Sequence, residues 1–334
     1  MLLNFLQNRC QLPYLLPFYH AVSDEPCPHI SPLYPVRTLR QFEADLDYLC
    51  THFQSVALSE LHEIQQDFQE DFQQQKQTKN TFSKPAFHLT FDDGLRQCFA
   101  EIRPVLLRKG INATFFINSQ FVDNQQLMYR YAAALLLQAM QKSPRGKPAV
   151  IEAVMKMEHS DSDEILELCG GFGVDLRGFL RDYRPYCTTN ELRQLVADGF
   201  SLGSHSQNHP LYARLTLAEQ LAQTIDSQRF IEKEIYQFPD DSLTPRPANF
   251  VRAFAFPFTD DGVKAEFWRA LKAELPFDLT FGTAGIKGDN MPNHLQRLVM
   301  ETANSEATAA QILRKNYLAH WLKRALGRHI VKHI

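Results

Sequence analysis

The chain has 334 residues, 44% of them hydrophobic, with 25 Phe and 11 Tyr against 22% charged. That is enough apolar mass for a substantial core and excludes wholesale disorder. Thirty-five basic against 38 acidic residues leave a net charge of −3, too even for a nucleic-acid binder acting by bulk charge. No run of about 18 apolar residues exists to span a membrane. The opening MLLNFLQNRCQLPYLLPFYHAV is apolar in patches. It has no charged n-region before the apolar stretch, and Arg9 and Pro13 interrupt it, so it does not read as a signal peptide. The expectation is a soluble, cytoplasmic protein. Six cysteines (10, 27, 50, 98, 169, 187) are scattered with no CxxC, which argues against a zinc knuckle or thioredoxin motif and for reduced, mostly buried thiols.

Residues 41–53 place Phe42, Leu46, Leu49, Cys50 and Phe53 at helical spacing. A Gln-rich stretch over 65–84 reads as a loop or excursion closed by Pro85. PAFHLTFDDG then reads as a buried strand and its exit turn. Residues 95–109 suit a helix ending at Gly110, and ATFFI (113–117) a second strand, which makes a β-α-β unit. Residues 123–187 are helical in pattern and carry no motif, as expected of an insertion. Thr188 and Glu191 form a capping-box pattern for a helix ending at Asp198-Gly199. Strands follow at 200–205, 251–256, 277–282 and 294–299, with helical stretches 216–236 and 262–274 between the first three. The alternation, with functional residues at strand ends, predicts an α/β parallel barrel whose site lies at the strands' C-terminal mouth. The core is expected over about 14–60 and 85–300 of a single domain, with no internal repeat.

Two clusters carry chemistry: Asp92-Asp93-Gly94 at a strand end and His205-Ser-Gln-Asn-His209. Histidines four apart meet on one face of a single helical turn, and Pro210 requires that turn to be short. Two histidines and one carboxylate make a metal site with positions open for water and substrate. A second carboxylate beside it can take a proton from water acidified by the cation. Two adjacent aspartates thereby acquire separate tasks, ligand and base. Alone, either motif is weak: Asp-Asp-Gly is commonly a turn, and HxxxH arises readily in a chain with 12 histidines.

Taken with its flanks, the pattern is specific. TFDDG (90–94), KGINATFF (109–116) and DGFSLGSHSQNH (198–209) resemble the polysaccharide deacetylase family, carbohydrate esterase family four, over roughly 85–300. The resemblance implies a distorted (β/α) barrel and metal-assisted removal of N- or O-acetyl groups from sugars, with water at the metal as nucleophile. By position, Asp92 resembles the catalytic base, and Asp93, His205 and His209 resemble the ligands of one divalent ion. Zinc is the default for a nitrogen-rich set, with cobalt, nickel or manganese as alternatives.

Two departures follow. Where the family has Arg-x-Pro-Tyr, this chain has Ala255-Phe256-Pro257-Phe258, so alanine replaces the base-orienting arginine. Pro257 and Phe258 remain substrate-binding candidates. Arg252 lies on the opposite strand face from 255, so Arg297 is the expected substitute, against the alternative of a structural strand-end arginine. The family's Leu-x-x-His motif, which supplies a general acid, is also not cleanly present. His20, in FYHAV, and His294 are the candidates. FYHAV with FAFPF resembles the branch acting on biofilm exopolysaccharides of poly-N-acetylglucosamine type, which favours His20.

Gly199-Phe-Ser-Leu-Gly203 matches the serine-esterase elbow, but a helix precedes it and Ser201 falls inside a strand, contrary to that motif. The C-terminal stretch, about 305–334, bears six Arg/Lys against Glu306. Leu318, Trp321, Leu322, Ala325 and Leu326 are expected to share one helical face, which either packs on the barrel or lies peripherally on the inner face of an anionic membrane. The reading is therefore a metal-dependent carbohydrate deacetylase acting without nucleic-acid partners. Hydrolysis of a non-sugar C–N bond and a catalytically silent glycan-binding barrel are the alternatives.

Overall fold

A computed structural model describes residues 12–74, 84–239 and 246–334. Cys10, the N-terminal patch over 1–11 and the Gln-rich residues 75–83 lie outside them.

Eight short strands form one all-parallel sheet: β1 (Pro17–Tyr19), β2 (Leu89–Phe91), β3 (Ala113–Ile117), β4 (Ser201–Ser204), β5 (Ala253–Ala255), β6 (Leu279–Gly282), β7 (His294–Gln296) and β8 (Leu298–Val299). Their order is β7-β6-β5-β4-β3-β2-β1-β8. The two edge strands are thus adjacent pieces of chain separated only by Arg297. The Arg297 amide donates to Gly282 on β6, and the Leu298 amide donates to Leu16 ahead of β1. The barrel closes through that one residue.

Side-chain alternation sends the strands' residues to the barrel interior on one face and under the helices on the other. Outward-facing Tyr19, Phe91, Phe115 and Leu202 pack under helical Phe42, Leu46, Ile102, Leu106, Leu192 and Leu195. Inward-facing Leu16, Phe116, Ala253, Ala255, Phe281 and Leu295 fill the barrel. At one end three two-residue strands, Tyr14–Leu15, Ala86–Phe87 and Gln54–Ser55, make a small parallel sheet. Leu58 and Leu61 pack into the core there.

The helices begin where the sequence offers caps. Thr38, Thr188, Thr216 and Thr308 each form a complete capping box with Gln41, Glu191, Glu219 and Gln311. The helix Arg103–Lys109 stops at Gly110, which takes a left-handed φ of 63° at no steric cost. Residues 95–109 are not one regular helix, because Cys98–Ile102 forms a π turn before it.

Two expectations are corrected here. The Gln-rich stretch does not begin as a loop: helix Leu58–Gln73 runs through its first half, since Gln and Glu are good helix formers. The C-terminal helix Ala309–Ala325 buries Ala309, Ile312, Leu313, Tyr317 and His320, not the face with Trp321. Leu318, Trp321, Leu322 and Leu326 face solvent. Among the described residues no helix is long and apolar enough to cross a membrane.

Residues 123–187 form helices Tyr129–Gln141, Pro148–Lys156, Ser162–Gly171 and Leu176–Asp182. Leu136, Met140, Val154, Ile165 and Cys169 are buried in a core of their own, which Ala21, Ile30 and Tyr186 join. The first of these helices stands beside the barrel mouth.

Candidate metal centre and cavity

Consecutive strand residues ordinarily point to opposite faces, so Asp92 and Asp93 should diverge. Asp92 continues the inward series of His88 and Thr90. Asp93 leaves the strand in the left-handed region, φ 70°, which swings its carboxylate back toward the same cavity. Gly94 follows at φ 63°, where a Cβ would stand 3.0 Å from Ile117 Cγ2.

The two histidines converge in a different way from the helical turn expected of their spacing. Residues 205–209 form no helix. Ser206 and His209 both take left-handed φ, 72° and 62°, and the Ser206 hydroxyl accepts the His209 amide at 2.9 Å. This bend brings the rings to 4.9 Å between centroids. Left-handed non-glycine residues cost about 1–3 kcal/mol each and tend to gather at functional sites. Asp93, Ser206, His209 and Phe258 (φ 58°) all belong to this neighbourhood.

His209 Nε2 lies 3.2 Å and His205 Nε2 3.5 Å from Asp93 Oδ1. His205 Nδ1 donates to the Ala255 carbonyl at 2.8 Å, which turns the Nε2 lone pair to the cavity. Asp93 Oδ1 is buried with no hydrogen-bond partner, while Oδ2 accepts the Tyr131 hydroxyl. An unpartnered carboxylate oxygen facing two imidazole nitrogens, all three side chains buried, suits a divalent cation. These three residues are the ones able to hold it.

Arg297 Nη1 and Nη2 donate to Asp92 Oδ1 and Oδ2 at 2.7 and 2.8 Å. Its Nη1 also reaches Thr90 Oγ1 at 3.0 Å, and the guanidinium stacks on Phe18 and Phe116. The arginine absent at 255 thus has a counterpart on the barrel's closing residue. Burial alone would push the Asp92 carboxyl up, but Arg297 and the His205 ring outweigh it and hold it below the usual carboxylate range. Burial lowers the His205 pKa to about 4, which favours its neutral form.

His20 also lines this cavity, of about 330 Å³, with Tyr34, Asp92, Asp93, Met128, Arg130, Tyr131, His205, His209 and Phe258 among its walls. Its Nδ1 lies 2.5 Å from Glu301 Oε2. Burial disfavours the imidazolium, but the Glu301 carboxylate reverses this and raises the His20 pKa to about 9. Phe258 sets its ring edge-on to His209 at 4.4 Å. Pro257 is buried and does not line the cavity.

His294 belongs elsewhere. It is three residues from Arg297, an odd separation, so strand parity turns it out of the barrel to meet Asp260 Oδ2 at 3.1 Å and Thr280 Oγ1 at 2.8 Å. It is excluded as the cavity's acid or base-orienter. Ser201 begins β4 while His205 follows its end. Four residues of strand, about 13 Å, separate it from the ligands, contrary to a nucleophile elbow. Arg252 pairs with Glu232, away from the site.

Glu301 and Tyr131 are the residues that sequence reasoning misses. Glu301 has no motif around it, although it accepts the His20 and Ala21 amides as well as the ring. Tyr131 stands in a helical stretch without a signature.

The family model described as "Polysaccharide deacetylase" matches residues 79–246, half of the chain. No curated protein sequence matches it. Among solved structures, it is similar to the Streptococcus pyogenes deacetylase PplD in complex with acetate, at TM-score 0.56 and 13% identity over 91% of this chain and 97% of that one. The putative polysaccharide deacetylase BA0330 from Bacillus anthracis superposes at TM-score 0.53 and 15% identity, over 91% and 68%. IcaB from Ammonifex degensii does so at 0.52 and 16%, over 90% and 97%. At these identities the structures speak for the fold alone. With the family model across half its length and the motif residues gathered at the mouth of such a barrel, this chain belongs to the polysaccharide deacetylase family.

Proposed function

We propose that the protein is a divalent-metal-dependent deacetylase that hydrolyses N-acetyl, or O-acetyl, groups on a carbohydrate. The observation that carries this reading is the juxtaposition, on one cavity floor, of an Arg297-clamped Asp92 and the Asp93–His205–His209 triangle. Asp93, His205 and His209 would hold the cation, which would supply Lewis acidity there and lower the pKa of water.

The remaining chemistry belongs to the chain's own side chains. Asp92, kept ionised by Arg297, takes the proton from water as its oxygen bonds to the acyl carbon. Arg297 orients both carboxylate oxygens through its planar fork. His20, charged up to a pH of about 9, donates a proton to the sugar nitrogen as the C–N bond breaks, and acetate and amine result. Tyr34, Phe258 and Met128 offer apolar walls for a sugar face. Poly-N-acetylglucosamine-type glycan is the substrate class we infer, from the FYHAV and FAFPF segments that contribute His20 and Phe258.

Arg297 beside Asp92 supports catalysis over a silent glycan-binding barrel, since a binding site needs no clamped base. Acetate release from N-acetylglucosamine oligomers, measured with zinc, cobalt, nickel and manganese supplied in turn, tests the proposal. Activity should vanish with chelator and in Asp92→Asn. Hydrolysis that survives chelation would overturn it, as would activity only on non-sugar amides.

A further inference from the structure

We propose that Asp260, Asp289, His294 and His333 form a second divalent-metal site, structural in kind and sharing no residue with the cavity's triangle. The four come from four places in the chain: the loop after β5, the short strand Gly288–Asp289, the start of β7 and the C-terminal end. One ligand atom of each lies within 4.8 Å of one from every other. His294 Nε2 is 3.1 Å from Asp260 Oδ2 and 3.9 Å from Asp289 Oδ2. His333 Nε2 is 3.4 Å from both. A tetrahedral ion with bonds of about 2.0–2.1 Å requires ligand separations of about 3.3 Å.

The ligands are also oriented. His333 Nδ1 faces the Val263 carbonyl at 3.0 Å and His294 Nδ1 faces Thr280 Oγ1 at 2.8 Å. With those nitrogens donating outward, both Nε2 atoms face the two carboxylates, His294 Nε2 also lying 3.3 Å from Gln296 Nε2. His333 Nε2 is buried and has no hydrogen-bond partner, its side chain only 2% exposed. Gln296 Nε2 donates to Asp260 Oδ2 and Asp289 Oδ2 at 2.7 and 2.8 Å. The Ala284 amide, donating to Gln296 Oε1 at 2.7 Å, determines which way that amide points. Such outer hydrogen bonds hold ligating oxygens in place.

Charge points the same way. The Asp260 and Asp289 carboxylates are almost wholly inaccessible, and two like charges so placed call for positive charge between them, from a dication or from a protonated His333. Two carboxylates and two neutral imidazoles neutralise a dication and complete four-coordination, leaving no position for substrate, which is the pattern of a structural site. The ion would clip the C-terminal strand Ile330–Val331 and the Asp260 loop to the barrel wall. That loop carries Phe258 over His209.

Metal content of the full-length protein tests this, after chelator treatment and reloading with zinc. Wild type should hold two equivalents, and His209→Ala and His333→Ala one each. The double variant should hold none. Zinc should also raise the melting temperature of His209→Ala, and this shift should disappear once His333→Ala is added. One equivalent in wild type, lost in His209→Ala and retained in His333→Ala, would overturn the site. The cluster would then be an imidazolium clasp between two carboxylates. Should His333→Ala not fold, cobalt loaded into His209→Ala decides. Four-coordinate d–d absorption supports the site, and absence of bound cobalt refutes it. Failure of the cavity's triangle would register separately, as a zinc equivalent that His209→Ala does not lose.

Discussion

Removing the Arg297 guanidinium leaves the Asp92 carboxylate, 2% exposed, without its charge partner. Breaking one side of a buried pair costs about 3–5 kcal/mol, so Arg297→Met should lower the melting temperature sharply and abolish most of kcat. Asp92→Asn should retain metal and lose about 10²–10⁴-fold in kcat, the usual worth of a positioned base. If the stability loss comes from the stranded charge, the double variant Arg297→Met with Asp92→Asn should recover much of it in a denaturant titration. His20 gives the pH dependence. Its pKa is raised by Glu301 to about 9, so an acid role is available below that pH and lost above it. The kcat/KM profile should fall on an alkaline limb near 9. In Glu301→Gln that limb should move down toward the ordinary histidine value, about 6.5. A limb unmoved by this substitution would assign it to another group.

At the scale of elements, the insertion does more than its motif-free sequence implies. Its helix Tyr129–Gln141 delivers the Tyr131 hydroxyl to Asp93 Oδ2, across a sequence separation that no local pattern can reveal. Tyr131→Phe should leave the fold intact and weaken metal affinity about 10–100-fold, as loss of a ligand-orienting hydrogen bond does, measurable by competition with a chelator. The turn after β2 should be less forgiving. Gly94→Ala meets both a left-handed φ and Ile117 at 3.0 Å, so it should destabilise the protein and misplace Asp93, visible as lost metal together with a lower melting temperature. Strand parity was the legible signal here. An odd separation of three along this extended stretch puts Arg297 and His294 on opposite faces, although the sequence reading kept both as site candidates. The His205–His209 geometry was not legible, since HxxxH is compatible with a helical turn and with a left-handed bend alike.

For the molecule as a whole, the C-terminal helix has two apolar faces with different fates. Ile312, Leu313 and Tyr317 pack in the core shared with the helix Leu39–His52. Truncation before residue 309 should therefore yield an unstable protein. Leu318, Trp321, Leu322 and Leu326 stay exposed beside Lys323, Arg324 and Arg328. The peripheral contact with an anionic membrane that the sequence offered as an alternative would rest on them. Co-sedimentation with anionic vesicles should fall as salt rises. It should vanish in the paired surface variant Trp321→Ser with Leu322→Ser, whose melting temperature should stay near wild type. Binding unaffected by that pair would send the contact elsewhere.

The candidate site residues in consecutive or near-consecutive positions, Asp92-Asp93 and His205–His209, were legible in the sequence alone. So were the β-α alternation, most strand positions and the capped helix start at Thr188, because each depends on a periodicity or spacing only a few residues long. Only the tertiary structure decided what meets across the barrel: Arg297 with Asp92, Glu301 with His20, Tyr131 with Asp93, and the four residues gathered around Asp260. Barrel closure sets the first two of these pairs. It brings together residues up to some hundreds of positions apart in chain order, and the sequence between them carries no record of that distance being closed.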